Sequence, residues 1–158
     1  MYDSIRDLLD ALKATPETLK SLLDGISEAQ ARSAKGGDEG WSVIEVLCHL
    51  RDAEEISLQR MEAMRDQENP LIIGYDQEAL AHERNYHAAD LRDALAEFIS
   101  FRERRIAALT ALTPKQWERT GQHNEIGQIT IFTQAIQNAC HDAIHCAQIA
   151  RQLTMNKK

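Results

Sequence analysis

The sequence predicts an all-α protein, a four-helix bundle with two longer connections that carry short helices. Apolar residues recur at intervals of three and four in four long stretches, Ile5 to Ile26, Val43 to Met64, Leu91 to Leu112 and Ile131 to Leu153. That is the period of a helix buried along one face. Ala, Leu, Glu, Gln and Arg are abundant while aromatics make up only 5% of the chain. Such unbranched side chains lose little rotamer freedom in a helix. No convincing apolar and polar alternation argues for a strand.

Inside the first stretch, Thr15-Pro16-Glu17 reads as a helix start, with Thr as cap and Pro in the first turn, so this stretch is expected to be kinked or in two pieces. The glycine-rich run from Lys35 to Gly40 forces a turn before Trp41. Ser42 then caps the second long helix, with Glu45 three residues on as its capping-box partner. Asn69-Pro70 ends that helix, and Tyr75 to Arg84 reads as a short helix within a connection long enough to cross the bundle. Thr113-Pro114-Lys115 starts another short helix, and Gly121 to Gly127 is expected to be loop. Four amphipathic helices can bury their stripes only against one another. Residues 1–158 are expected to form one domain, with a core that needs neither disulfides nor a structural metal.

A net charge of -7 argues against a nucleic-acid partner, which would require a clustered basic surface; the run Arg102 to Arg105 is short and includes Glu103. No segment approaches the length of uncharged apolar sequence needed to span a bilayer, and MYDSIRDLLD lacks an apolar signal core, so no membrane association and a cytoplasmic location are expected. Cys48, Cys140 and Cys146 are odd in number and at no zinc-ribbon or CxxC spacing. Reduced, mostly buried thiols acting as small core filler are expected.

The informative residues are histidines. His141 and His145 lie four apart in CHDAIHCAQIA, one turn above each other on a helix, where one ion can reach both. Six histidines placed at random would give roughly 0.2 such pairs, so the spacing alone is weak evidence. The surrounding helix strengthens it. From Ile126 through Ala150 the sole charged residue is Asp142, where the chain average would give about seven, and such a helix is expected to be buried almost all round. His141 and His145 share a side with Gln134, Gln137, Asn138, Gln148 and Gln152, a polar but uncharged stripe. Either a partly closed cavity or a hydrogen-bonded interface with another helix or subunit would suit that stripe.

His49, on the inward stripe of the second helix with Val46, Ala53 and Ile56, could supply a third nitrogen. A lone histidine on an apolar face is more often a satisfied core residue; the second histidine source shifts that judgement. Three neutral imidazoles with an open position are what a catalytic divalent ion uses to activate water or a thiol. Glu45, one turn before His49, suits a capping partner, an acceptor for an imidazole N–H, or a base. His82, His87 and His123 lie in or near connections, His123 being the one placed to reach a cavity mouth. Trp41 is expected to be a packing anchor at the helix start.

These motifs resemble the DinB/YfiT-like family of small metal-binding bundles, over nearly the whole length. The matching segments are TPETLKSLLDGIS, WSVIEVLCHLRDAEE, YDQEALAHER, FISFRERRIAAL, WERTGQHNEIGQIT and HDAIHCAQIARQL. Most specific are the Trp-Ser start with a histidine eight residues after the Trp, and the terminal HxxxH. The resemblance implies a four-helix bundle holding one divalent ion, zinc or nickel ahead of iron or manganese, on His49, His141 and His145. It further implies a homodimer, a small electrophilic substrate, and either hydrolysis or transfer of a low-molecular-weight thiol such as bacillithiol or mycothiol, with the thiol as co-substrate. Two other readings stay open at this point: a non-catalytic dimeric module binding a small ligand or serving a stress response, and an ion that is purely structural or incidental.

Overall fold

In the computed structural model, residues 2–36 and 40–155 are described. The first helix, α1 (Tyr2–Leu23), is one segment running through Pro16. The expectation of two pieces is therefore corrected, and the reason is local. Proline has no N–H to offer the Leu12 carbonyl one turn earlier. That carbonyl instead accepts from Arg102 Nη1 at 2.7 Å. Thr15 does not cap either; its Oγ1 donates to Asp142 Oδ2 at 2.9 Å.

Ser27 and Gln30 form a capping box that starts α2 (Glu28–Ser33). The glycine turn follows, bracketed by an antiparallel bridge between Lys35 and Ser42; its Gly37, Asp38 and Glu39 lie outside the described residues. The helix α3 (Val43–Asp66) begins at the Ser42 and Glu45 capping box. Beyond it come β1 (Leu71–Ile72), α4 (Gln77–Glu83) capped by Asp76, and a 3₁₀ turn at Tyr86–Ala88. Asp90 caps α5 (Leu91–Thr110), and Thr113 with Gln116 caps the short α6 (Pro114–Trp117). Then follow β2 (Thr120–His123), β3 (Gly127–Thr130) and α7 (Ile131–Met155).

Gly121 to Gly127 is thus a hairpin rather than the expected loop. In it β2 pairs antiparallel with β3, and β1 joins β2 in parallel register, Leu71 opposite Gln122. Strands of two to four residues are too short to write an alternation into the sequence. Gly121 is required there because a Cβ would come within 2.8 Å of Ile72 Cγ1 and 3.0 Å of Met64 Cγ.

The four long helices form the bundle, with α3 against α5 and α7, and α1 against α7 and α5. Their apolar residues fall into two clusters. One gathers Leu19, Trp41, Ile44, Leu47, Phe98 and Ile149 around the start of α3; the other gathers Leu12, Met61, Met64, Leu109, Trp117 and Ile131 around its end. The layer between them is polar, built from His49, Asp52, Glu54 and Ser57 of α3, Arg102 and Arg105 of α5, and Asp142 of α7, all buried.

The charge-poor α7 is not buried all round. Ile136 is 40% and Ile144 62% exposed, on one side of the helix. Cys140 shares that side and is exposed, Cys146 is half-buried and Cys48 is buried, so the expectation of mostly buried thiols is corrected for Cys140. Burial pushes the Cys48 and Cys146 thiols up to about 11. Among the described residues no helix is long and apolar enough to cross a membrane.

Candidate metal centre

His49 leaves α3 two turns after its cap, and His141 and His145 leave α7 one turn apart, so all three rings enter the polar layer where α3 and α7 pack. Their ring centroids are 4.8 Å apart for His49 and His141, 4.9 Å for His49 and His145, and 4.4 Å for His141 and His145. One nitrogen from each lies within 4.8 Å of the other two. The His49 and His141 Nε2 atoms are only 2.8 Å apart. Nitrogens bound tetrahedrally at the usual zinc distance sit about 3.3 Å from one another, so the cluster is of the size one ion requires.

Protonation fits as well. Burial, then the neighbouring His141 and His145, pulls His49 down to about 3. Burial, His145 and Arg102 pull His141 down to about 4, against the opposing pull of Glu54. Both rings are therefore neutral at pH 7 and have lone pairs to offer. In His145, Nδ1 lies 2.8 Å from Gln148 Oε1, while Gln148 Nε2 faces the Gly36 carbonyl at 3.4 Å. A carbonyl oxygen only accepts, so the Gln148 amide is oriented with its oxygen toward His145. It accepts a hydrogen bond from Nδ1–H, which leaves the Nε2 lone pair for a ligand bond.

The walls are braced by ring packing and hydrogen bonds. The Trp41 ring lies 5.2 Å from that of His49 and edge-on to Tyr86 at 6.2 Å, and both are buried. Tyr86 donates to Asp52 Oδ2 at 2.7 Å, while Asp52 Oδ1 accepts from Arg51 Nε at 2.7 Å and Arg84 Nη1 at 2.9 Å. On the other flank, next in sequence to His141, Asp142 Oδ2 accepts from Arg102 Nη2 at 2.8 Å. Glu54 Oε2 accepts from Arg102 at 2.8 Å and Arg105 at 2.9 Å, and Arg105 reaches Asn138 Oδ1 at 2.8 Å. On this flank two acids, Glu54 and Asp142, face two guanidiniums, Arg102 and Arg105. Burial opposes the ionisation of Glu54, but Arg105 and Arg102 outweigh it and hold its carboxyl below the ordinary range.

The remaining expected residues divide. Glu45 Oε2 accepts from the Ser42 N–H at 2.7 Å, which places that carboxylate at the helix cap. His82 and His87 are exposed, and His123 is buried in β2 with Nδ1 accepting from Glu125 N at 3.2 Å, away from the other histidines. The amide stripe serves partly as a seam: Gln152 Nε2 holds the Trp41 and Gly36 carbonyls, and Asn138 Nδ2 donates to Ser57 Oγ at 2.8 Å.

Sequence reasoning missed the Arg102, Arg105, Glu54 and Asp52 contacts. Two signals were present: Arg102 and Arg105 are one turn apart on the stripe that carries Phe98 and Leu109, and Asp142 is the lone charge of a charge-poor helix. A charge in such a setting requires a partner.

A helical bundle with three imidazoles converging from two of its helices defines a class of candidate metal proteins. The family profile of the DinB superfamily matches residues 11–149. The chain belongs to that superfamily. It is similar to a Bacillus subtilis protein named "Putative metal-dependent hydrolase YfiT", 26% identical over 149 residues that cover 92% of this chain and 83% of the relative. An Oceanobacillus iheyensis protein named "Putative metal-dependent hydrolase OB0782" is 29% identical over 146 residues, which cover 92% of this chain and 83% of the relative. The solved structure of Bacillus subtilis YfiT, described as "a probable metal-dependent hydrolase with an unusual four-helix bundle topology", superposes with a TM-score of 0.89 at 25% identity. That superposition covers 97% of this chain and 87% of that one.

Proposed function

We propose that this protein is a metal-dependent hydrolase of small molecules in which His49, His141 and His145 hold one divalent ion. The observation that carries the reading is the convergence of three ligand nitrogens within 4.8 Å, two of them on rings that burial keeps neutral. When bound, the ion supplies Lewis acidity that makes water, or a low-molecular-weight thiol, nucleophilic at neutral pH. The names of the relatives support the hydrolytic form. Thiol transfer is the finer variant of the same chemistry.

The chain's own residues do the positioning. Gln148 fixes the His145 tautomer, the Arg102 and Asp142 pair braces α7 beside His141, and Trp41 closes one wall against water. Glu45, one turn before His49 and two before Asp52, acts as a positioning residue that fixes the start of α3. Imidazole donors suit zinc or nickel, with iron or manganese as further occupants. A homodimer belongs to the same proposal.

Hydrolysis of a panel of small esters and amides, with and without a low-molecular-weight thiol, tests the reading. Turnover that disappears on chelation and returns with the ion supports it, and a thiol requirement selects transfer. A metal-loaded protein inert to the whole panel favours the non-catalytic binding module.

A further inference from the structure

We propose that Arg60 forms an anion subsite beside the histidine cluster, so that the small molecule handled there carries a carboxylate. This inference rests on the metal-centre reading above. A cavity of about 150 Å³ opens between α3 and α7, lined by Ser57, Arg60, Tyr75, Gln137 and Asn138 and touching His141. At roughly 30 Å³ per liquid water it has room for about five waters, the size of a short organic acid. A larger surface cavity of about 720 Å³, at the end of α1 beside Asp24 and Arg92, touches none of the three histidines.

Arg60 supplies the charge. Every other residue that lines the cavity is apolar, an amide, a hydroxyl or His141, and none is an acid. Its guanidinium is half-buried, with Nη2 donating to the Ile73 carbonyl at 2.6 Å and Cζ 5.7 Å from the centre of the Tyr75 ring. Among the described residues no carboxylate pairs with it, whereas Arg51, Arg84, Arg102 and Arg105 all have acidic partners. Glu125 acts on it only through space. Among the described residues Arg119 is likewise half-buried without an acidic partner, but its Nε and Nη2 donate to the Met64 and Gln67 carbonyls and it does not line this cavity. The Ile73 carbonyl holds one arm of the fork, and the remaining N–H donors suit the two oxygens of a carboxylate.

Butyrate and its neutral counterpart butyramide are the probes, titrated by NMR into metal-free and zinc-loaded protein, with zinc content measured alongside. Wild type is expected to bind butyrate in preference to butyramide in both forms. Arg60→Gln is expected to weaken butyrate at least tenfold while leaving zinc content and butyramide binding unchanged. Arg60→Lys, which keeps the charge but not the fork, is expected to lose affinity severalfold and carries the test if the glutamine variant does not fold. Equal binding of the two probes, no butyrate binding to wild type, or unchanged butyrate affinity in the variants overturns the subsite. Failure of the metal reading looks different: wild type takes up no zinc, yet the Arg60-dependent preference persists in the metal-free protein.

Discussion

His145 and Gln148 form a donor and acceptor pair within one turn of α7, Nδ1 to Oε1 at 2.8 Å, and that contact determines which imidazole nitrogen is available to an ion. Gln148→Leu removes the acceptor but keeps the volume roughly constant. Loss of such a supporting contact typically costs ten- to a hundredfold in metal affinity. Competition titration against a chromophoric chelator is expected to show a loss in that range, with the helical circular dichroism unchanged. Equal affinity in wild type and variant would remove Gln148 from the account.

The buried network predicts an asymmetry between ion pairs. Arg102 bonds the Leu12 carbonyl at the edge of one apolar cluster and Glu54 and Asp142 of the polar layer at once. Arg102→Met leaves Asp142 without its guanidinium and the Leu12 carbonyl without a donor, and urea denaturation is expected to show a loss of about 3 to 5 kcal/mol. Lys20→Ala breaks the exposed pair with Glu17 and should cost less than about 1 kcal/mol. Similar losses for the two variants would contradict the role given to the polar layer.

Stability of the metal-free protein should fall with acid in a defined window. His49 and His141 take up protons near pH 6.5 when unfolded but only near 3 and 4 when folded. Between those values the unfolded state binds more protons, so stability is fully present above about pH 6.5 and drains away as pH falls toward 4. For His49 alone the loss at pH 5 is about 2 kcal/mol. Urea midpoints measured at pH 7.5 and 5.0 check this, and His49→Gln should reduce the difference. Identical midpoints at the two pH values would show that the rings are not buried neutral.

The long helices were legible because each carries a stripe sustained over five or more turns, and Ser42 and Thr113 mark starts through cap chemistry that is local in sequence. The hairpin was not, since β2 and β3 are four residues each and are fixed by the packing of Gly121 on Ile72 and Met64. Pro16 misled for a related reason: a proline inside a helix leaves a carbonyl unpaired, and the arginine that satisfies it lies 90 residues away. The histidines could be singled out because four-residue spacing survives translation into a helix face. Their mutual distances, and the identity of Gln148 as the partner of His145, depend on how α3 and α7 pack, which the sequence does not state locally.

The most direct test of the metal centre is elemental analysis of untagged protein, wild type beside His141→Ala and His145→Ala, after reconstitution with zinc and gel filtration. About one equivalent is expected in wild type and a large loss in both variants. Both variants should stay helical, because the apolar clusters on either side of the polar layer do not depend on the ion. A wild type that takes up no metal, or variants that keep a full equivalent, would contradict the metal-centre reading.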